Sequence, residues 1–232
     1  MNSTICLIPA RLNSTRLPRK ILLDLSGKPL LQRVYEAATR CPFKEVVIAV
    51  DDEEVFERAR SFGARVIMTS KAPNSGTERL IEAIEKEGLK ADRFVNWQAD
   101  EPFIQPATIE TLLKGEGDVW TLRKRLNGNP LDPNTVKVVV DPQGLALFFS
   151  RAPIAQAEGL YFQHIGIYAY SAEALSIIKG LPQSQLSNGE RLEQLRFLEA
   201  HLKIRVNTTD QVVVGIDTAD DLANANRLFT SL

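Results

Sequence analysis

ICLIPARLNSTRLPRKIL, residues 5–22, opens with four apolar residues, Ile5 to Ile8, and then loses any helical or strand period. The first part reads as a buried strand. The second reads as a long loop, of the kind that in compact domains is functional or disordered. It carries Arg11, Arg16, Arg19 and Lys20, with Lys28 just beyond and Asp24 the only acid among them. In open α/β sheets ligands collect beyond the carboxyl ends of the strands, and the loop after the first strand is the usual phosphate holder. Arg11, Arg16 and Lys20 therefore stand where a polyanion would sit. The plainer alternative is a solvated basic loop.

Outward from this stretch the chain alternates. Leu30, Leu31, Val34, Tyr35 and Ala38 recur at helical spacing, and Glu45 to Val50 is a β-branched strand. Val55, Phe56, Ala59 and Phe62 mark a helix stopped by Gly63, followed by a strand at Arg65 to Thr69. Leu80, Ile81 and Ile84 mark a helix ended by Gly88, before the strand Phe94 to Gln98, and Pro106 opens a helix that Gly115 ends. Strands separated by helices this regularly predict a mostly parallel sheet with helices on both faces.

Beyond Gly115 the pattern changes to strands at Val119 to Lys124, Val136 to Val140, Leu145 to Ser150 and His164 to Tyr170, with turns at Pro142, Gly144 and Gly159. A helix over Arg191 to Leu202 and a last one capped by Thr218, with Asp220 and Asp221 in its first turn, complete the reading. The chain reads as one α/β domain over residues 1–232, strand-rich at about 119–170, with no repeat or linker.

Composition narrows the class of function. Hydrophobic residues at 44% and charged residues at 25% are ordinary for a soluble globular protein. Lys plus Arg number 28 against 29 Asp plus Glu, so nothing in the overall charge points to nucleic acid or a membrane surface as partner. Cys6 and Cys41 have no metal or redox spacing, which fits a reducing cytoplasm. The first apolar run is too short for a signal peptide, so the mature chain is expected to begin near Met1. The phosphate motifs G-x-x-x-x-G-K-[ST] and G-x-G-x-x-G are both absent, against a P-loop nucleoside triphosphatase or an ordinary dinucleotide dehydrogenase. What remains is a loop that holds phosphates with side-chain cations, Arg as a planar fork and Lys as a point charge.

PARLNSTRLPRK followed by LSGKPLLQRVYE closely resembles the opening of the 3-deoxy-manno-octulosonate (Kdo) cytidylyltransferases. Sialate cytidylyltransferases and spore-coat-type nucleotidyltransferases begin similarly. NSGTERL (74–80), WQADEPFI (97–104), DPNTVKVV (132–139), LALFFSRAPI (145–154), HIGIYAY (164–170), LEQLR (192–196) and GIDTADDL (215–222) then follow in that family's order. The resemblance implies a Rossmann-like nucleotide-diphospho-sugar transferase fold with a smaller strand-rich dimerisation region. It also implies transfer of CMP from CTP to the anomeric hydroxyl of Kdo, with release of pyrophosphate, for lipopolysaccharide biosynthesis. A homodimer and Mg²⁺ come with it, since Mg²⁺ takes few protein oxygens and bridges phosphates. The alternatives are another acidic sugar, a sialate or amino-Kdo analogue, or a CTP-binding module without turnover.

Carried over residue by residue, the resemblance makes Asp100 and Asp217 the metal carboxylates, with Arg11 and Lys20 beside them in catalysis. CTP falls to Ala10, Arg11, Arg16, Lys20, Ser75, Gly76, Arg79 and Gln98, and the sugar to Arg151, His164, Tyr168, Glu193 and Gln194. Residue by residue, plainer roles also exist. Asp217 is a helix-capping type, Asp100 a turn residue before Pro102, and Ser75 and Gly76 loop residues ahead of a Thr77 N-cap. His164 also reads as a satisfied structural histidine, Tyr168 as packing. Glu193 and Gln194, consecutive on a helix, point about 100° apart and share a ligand only near the helix end or on a broad face. The chain departs from the family at Arg19, where glycine is usual, at Ala99, where glycine is common, and in a short segment between Ile154 and His164.

Overall fold

The computed structural model describes residues 3–14, 16–154 and 160–230. The turn expected at Gly159, most of the short segment after Ile154 and the expected start at Met1 lie outside the described residues. The chain divides into two compact units, residues 1–106 with 211–232, and residues 107–210.

In the first unit β1 (Thr4–Ala10) is followed by a single 3₁₀ turn at Lys20–Leu22 and a small antiparallel hairpin, β2 (Asp24–Leu25) and β3 (Lys28–Pro29). Then come α1 (Leu30–Thr39), β4 (Glu45–Val50), α2 (Glu53–Ser61), β5 (Arg65–Met68), α3 (Gly76–Glu87) and β6 (Arg93–Asn96). The expected long loop thus contains its own short elements. All pairings among these sheet strands are parallel, in the order β6-β1-β4-β5. Ile5, Cys6, Leu7 and Ile8 are each at most 2% exposed, because crossovers cover both faces of β1 and a continuous apolar run is what such a strand needs. The chain leaves β1 toward β4 and β5, then returns to β1's other side as β6. That reversal makes the carboxyl ends of β1 and β6 a topological switch point, where an open α/β sheet forms a crevice.

The second unit takes up α4 (Pro106–Leu112), β7 (Val119–Arg125), β8 (Lys137–Val140), β9 (Ala146–Ser150), β10 (Phe162–Ser171), α5 (Ala172–Lys179), α6 (Gln185–Glu190), α7 (Gln194–Glu199) and β11 (Ile204–Thr208). β7 pairs β11 in parallel and β10 antiparallel, and β8 and β9 form an antiparallel pair. The helix expected over Arg191 to Leu202 is shorter at both ends, Gln194–Glu199: Arg191, at φ 55, closes the preceding helix α6, and His201, at φ 60, follows the end of α7. The chain ends in the first unit with α8 (Ala219–Thr230), whose cap is Thr218 as expected; its hydroxyl oxygen accepts from Asp221 N–H. No helix among the described residues is long and apolar enough to cross a membrane.

Candidate active site

At the switch point a cavity of about 650 Å³ is lined by Pro9, Arg11, Asn13, Ser14, Arg16, Lys20, Ile21, Gln98, Ala99, Asp100 and Asp217. Ile216 N–H donates to Asp100 C=O at 2.9 Å, pinning the irregular segment before α8 to the turn after β6. Two carboxylates far apart in sequence are thereby brought together. Lys20 Nζ donates to both, at 2.6 Å to Asp100 Oδ2 and 2.8 Å to Asp217 Oδ1, and Arg16 adds 2.8 Å to Asp217 Oδ2. Asp217 is therefore not the helix cap; Thr218 takes that role and leaves the Asp217 carboxylate to the cavity.

Arg19 explains how Lys20 reaches this place. Its φ of 57 and ψ of 26 are left-handed, a conformation for which glycine is the default, so the backbone keeps the path that a glycine would take. The Arg19 side chain points outward to an ion pair with Glu54, and the 3₁₀ turn that follows carries Lys20 inward, 8% exposed. The rest of the basic stretch sorts itself similarly: Lys28 pairs with Glu36 at 2.6 Å, while Arg11 is exposed in the cavity.

Burial pulls the Lys20 ammonium down, but the charge and hydrogen bonds of Asp100 and Asp217 outweigh it and hold its pKa above the usual lysine value. Glu101, beside Asp100, was not foreseen as part of the site. Its Oε2 is buried with no hydrogen-bond partner among the described residues. Burial first, then the charges of Asp100 and Asp217, push its carboxyl up to about 8 against the opposing pull of Lys20. Hard carboxylate oxygens without sulfur or imidazole fit a divalent cation that shares its remaining ligands with phosphate and water.

A second cavity of about 130 Å³ shares Pro9, Arg11 and Gln98 with the first and adds Pro73, Asn74, Ser75, Gly76 and Arg79. The N-cap of α3 is Ser75, not Thr77: the Ser75 hydroxyl accepts from Glu78 N–H, and Thr77 lies inside the helix, 2% exposed. Gly76 lies at close approach to β1: a Cβ there would meet Pro9 Cγ at 3.2 Å, and the proline would have to give by a few tenths of an ångström. Ala10 ends β1 fully buried, and Gln98 donates to Asn96 Oδ1 at 3.1 Å. Arg79 lines the cavity but is 4% exposed, with its guanidinium engaged by Asp51 (2.7 Å), Thr69 Oγ1 (2.5 Å) and Ser70 C=O (3.1 Å).

The remaining candidates belong to the second unit. His164 and Tyr168 on β10 have ring centroids 5.4 Å apart, within an aromatic row that runs from Phe149 through Tyr170 to Phe197. Burial lowers His164 to about 3, so its ring is neutral, and burial with the charges of Tyr170 and Glu193 raises Tyr168. Glu193 and Gln194 fall at the N-terminus of α7, the helix-end position that lets neighbouring residues share a ligand. Arg151 is tied down by its own backbone and side chain: its N–H and Nε bind Glu190, and Nη1 donates to Pro133 C=O at 2.9 Å. Lys137 was missed by sequence reasoning, although a lysine inside a β-branched run was a visible signal. It is 1% exposed and its Nζ donates to the carbonyls of Asp132, Thr135 and Arg151.

Cations gathered at a switch point without a glycine-rich phosphate loop, beside paired carboxylates, define a nucleotidyltransferase class of site. The cytidylyltransferase family model matches residues 5–204. The 3-deoxy-manno-octulosonate cytidylyltransferase of Solibacter usitatus is 44% identical, with 96% of this chain and 92% of the relative covered. That of Chlorobaculum tepidum is 43% identical, with 99% and 98% covered. A CMP:2-keto-3-deoxy-manno-octonic acid synthetase solved in complex with CTP is 39% identical, with a TM-score of 0.93 and 99% of both chains covered. The chain belongs to the 3-deoxy-manno-octulosonate cytidylyltransferase family, a family of nucleotidyltransferases.

Proposed function

We propose that this chain transfers CMP from CTP to the anomeric hydroxyl of Kdo, giving CMP-Kdo and pyrophosphate and activating the sugar for lipopolysaccharide biosynthesis. The observation that carries the reading is the Lys20 ammonium held between Asp100 and Asp217 in a cavity whose other cations are Arg11 and Arg16. Both substrates are anions, so the barrier is repulsion as much as reactivity. Mg²⁺, held by Asp100 and Asp217, would neutralise phosphate charge and make the sugar hydroxyl more acidic.

The chain's own residues do the rest. Arg11 and Arg16 offer planar forks to the triphosphate, and Lys20 keeps the two carboxylates at a fixed separation. Ser75 and Gly76, at the positive end of the α3 dipole, and Gln98 take the nucleotide, with Ala10 and Arg79 as its framework. The sugar oxygen forms its bond to the α-phosphorus as the bond to pyrophosphate breaks, and fixed cations stabilise the charge that builds up on the phosphates. We assign sugar recognition to Arg151, His164, Tyr168, Glu193 and Gln194. The buried thiols Cys6 and Cys41, neither in a disulfide, suit a cytoplasmic enzyme. Exposed Leu131 and Leu147 support a homodimer built through the strand-rich region.

The test is pyrophosphate release by purified protein with Mg²⁺, CTP and a panel of sugar acids. Release with Kdo is the expected result. Release only with a sialate or an amino-Kdo analogue would replace the sugar, and tight CTP binding with no release for any sugar would overturn turnover itself.

A further inference from the structure

β10 carries an irregularity whose consequence falls on His164. Across one step of β7, from Leu122 to Thr121, β10 advances three residues, from Ile165 to Tyr168, so Gly166 and Ile167 are extra. On a regular strand, residues four apart lie about 13 Å from each other. The bulge sets His164 and Tyr168 opposite residues only two apart on β7, Arg123 and Thr121, which explains ring centroids at 5.4 Å. Bulges of this kind re-aim side chains.

One side chain closes the bulge. Thr121 Oγ1 lies 3.0 Å from Ile165 C=O, 2.9 Å from Ile167 C=O and 2.9 Å from His164 Nε2. A hydroxyl has one proton and two lone pairs, and a carbonyl only accepts. The Thr121 proton therefore belongs to the carbonyls; directing it at His164 would leave two unprotonated oxygen–oxygen contacts. The third contact must run the other way, with His164 Nε2–H donating to Thr121 Oγ1. A neutral imidazole carries one N–H, so Nδ1 is bare, and it has no hydrogen-bond partner among the described residues.

We infer that Thr121 is a positioning residue: it braces the β10 bulge and fixes His164 as the Nε2–H tautomer, so that Nδ1 is a hydrogen-bond acceptor for a ligand hydroxyl. A bare nitrogen accepts from O–H and repels carboxylate, so His164 selects a hydroxyl of the acceptor sugar rather than its acid group. The ligand part of this inference rests on the assignment of His164 to sugar recognition; the tautomer does not.

The experiment separates the two. The chain has only two histidines, His164 and His201, so His201→Asn leaves a single ring for two-bond ¹H–¹⁵N correlation spectra of the intact protein. Above about pH 7 the pyridine-type nitrogen is expected to couple to Hε1 alone, the signature of a bare Nδ1. Coupling of that nitrogen to both Hε1 and Hδ2 overturns the inference with no need of a variant. Thr121→Val is expected to lose the single tautomer and to raise the KM for Kdo about tenfold with the KM for CTP unchanged, and Thr121→Ser to restore both. An unchanged sugar KM in Thr121→Val, with His164→Phe raising it, overturns the role of Thr121. An unchanged sugar KM in both, with the tautomer as expected, overturns the sugar assignment instead.

Discussion

Lys20 and His164 are both sheltered titratable groups, one in each unit, and they end in opposite charge states. Lys20 meets two carboxylates, which outweigh burial and keep it an ammonium. His164 meets a hydroxyl and aromatic rings, none of them charged, and burial keeps it neutral. Burial sets only the cost of charge, and partners decide whether the cost is met. The two groups also separate two kinds of recognition: a charged cradle suits phosphates, and neutral donors and acceptors suit the hydroxyls of a sugar.

The two carboxylates of the charged half are expected to be indispensable to turnover. Asp100→Asn and Asp217→Asn are each expected to lower pyrophosphate release on the order of 10³-fold with circular dichroism unchanged. Near-normal rates in both would remove these carboxylates from the chemistry and leave the Lys20 bridge as a structural tie.

Lys20→Met tests the same half from the other partner. It leaves Asp100 and Asp217 facing one another with only the Arg16 pair to Asp217 to offset them, and is expected to cost on the order of 10²-fold in rate. The expected loss of stability in urea is about 2 kcal/mol, less than for a fully buried pair because the Asp217 side chain is 43% exposed. The sign with pH follows from a raised folded pKa: the stabilisation is whole below the unfolded value of 10.5 and is lost as pH rises through the higher folded value. A Lys20→Met variant as stable as the parent at neutral pH would mean that solvent already screens the pair.

The two halves also differ in how far the sequence disclosed them. In the first unit, strands buried on both faces read as unbroken apolar runs, and Glu45–Val50 emerged with its expected bounds, because local pattern and tertiary burial demand the same residues. The loop cations were legible as charge, and Arg11, Arg16 and Lys20, the three expected to meet a polyanion, are the ones that line the cavity; how Arg19 and Lys28 are kept out of it was not legible. That depends on Glu54 and Glu36, acids on neighbouring helices that claim Arg19 and Lys28. In the second unit α5, α6 and β11 went unread. Leu192 and Leu195 keep a helical period from the residue after Arg191, and nothing in an arginine announces a left-handed φ. Ser75 against Thr77 was a choice between two good caps, settled by the close packing of Gly76 on Pro9. The bulge in β10 was invisible, since Gly166 and Ile167 look like ordinary strand positions until Thr121 is placed opposite them.

His164 gives the neutral half its own test. Its folded pKa of about 3 lies below the unfolded 6.5, so the unfolded chain binds the proton first as pH falls. The stability is whole above about 6.5 and is lost progressively toward 3. Between about pH 7.5 and pH 5 the parent is expected to lose about 2 kcal/mol more than His164→Phe, read from urea midpoints. Parallel losses would show that His164 takes up a proton without unfolding, and the contrast with Lys20 would dissolve.

Arg19→Gly is expected to change stability little and tests the backbone beneath Lys20. A non-glycine residue at φ 57 costs about 1 kcal/mol, which glycine would relieve. Against this stand a looser unfolded chain and the loss of the exposed pair with Glu54, each worth about 0.5 kcal/mol, so the two sides nearly cancel. Glu54→Gln separates them. With the pair already gone, Arg19→Gly should stabilise by about 0.5 kcal/mol more than it does in the parent, which a double-mutant cycle in urea reads directly. Pyrophosphate release should be unchanged in each variant, because the left-handed turn, and not the Arg19 side chain, is what delivers Lys20 to the two carboxylates. A fall in turnover on Arg19→Gly would instead make the Arg19–Glu54 pair the brace of the 3₁₀ turn, and the departure from glycine at this position a device that holds Lys20 in place.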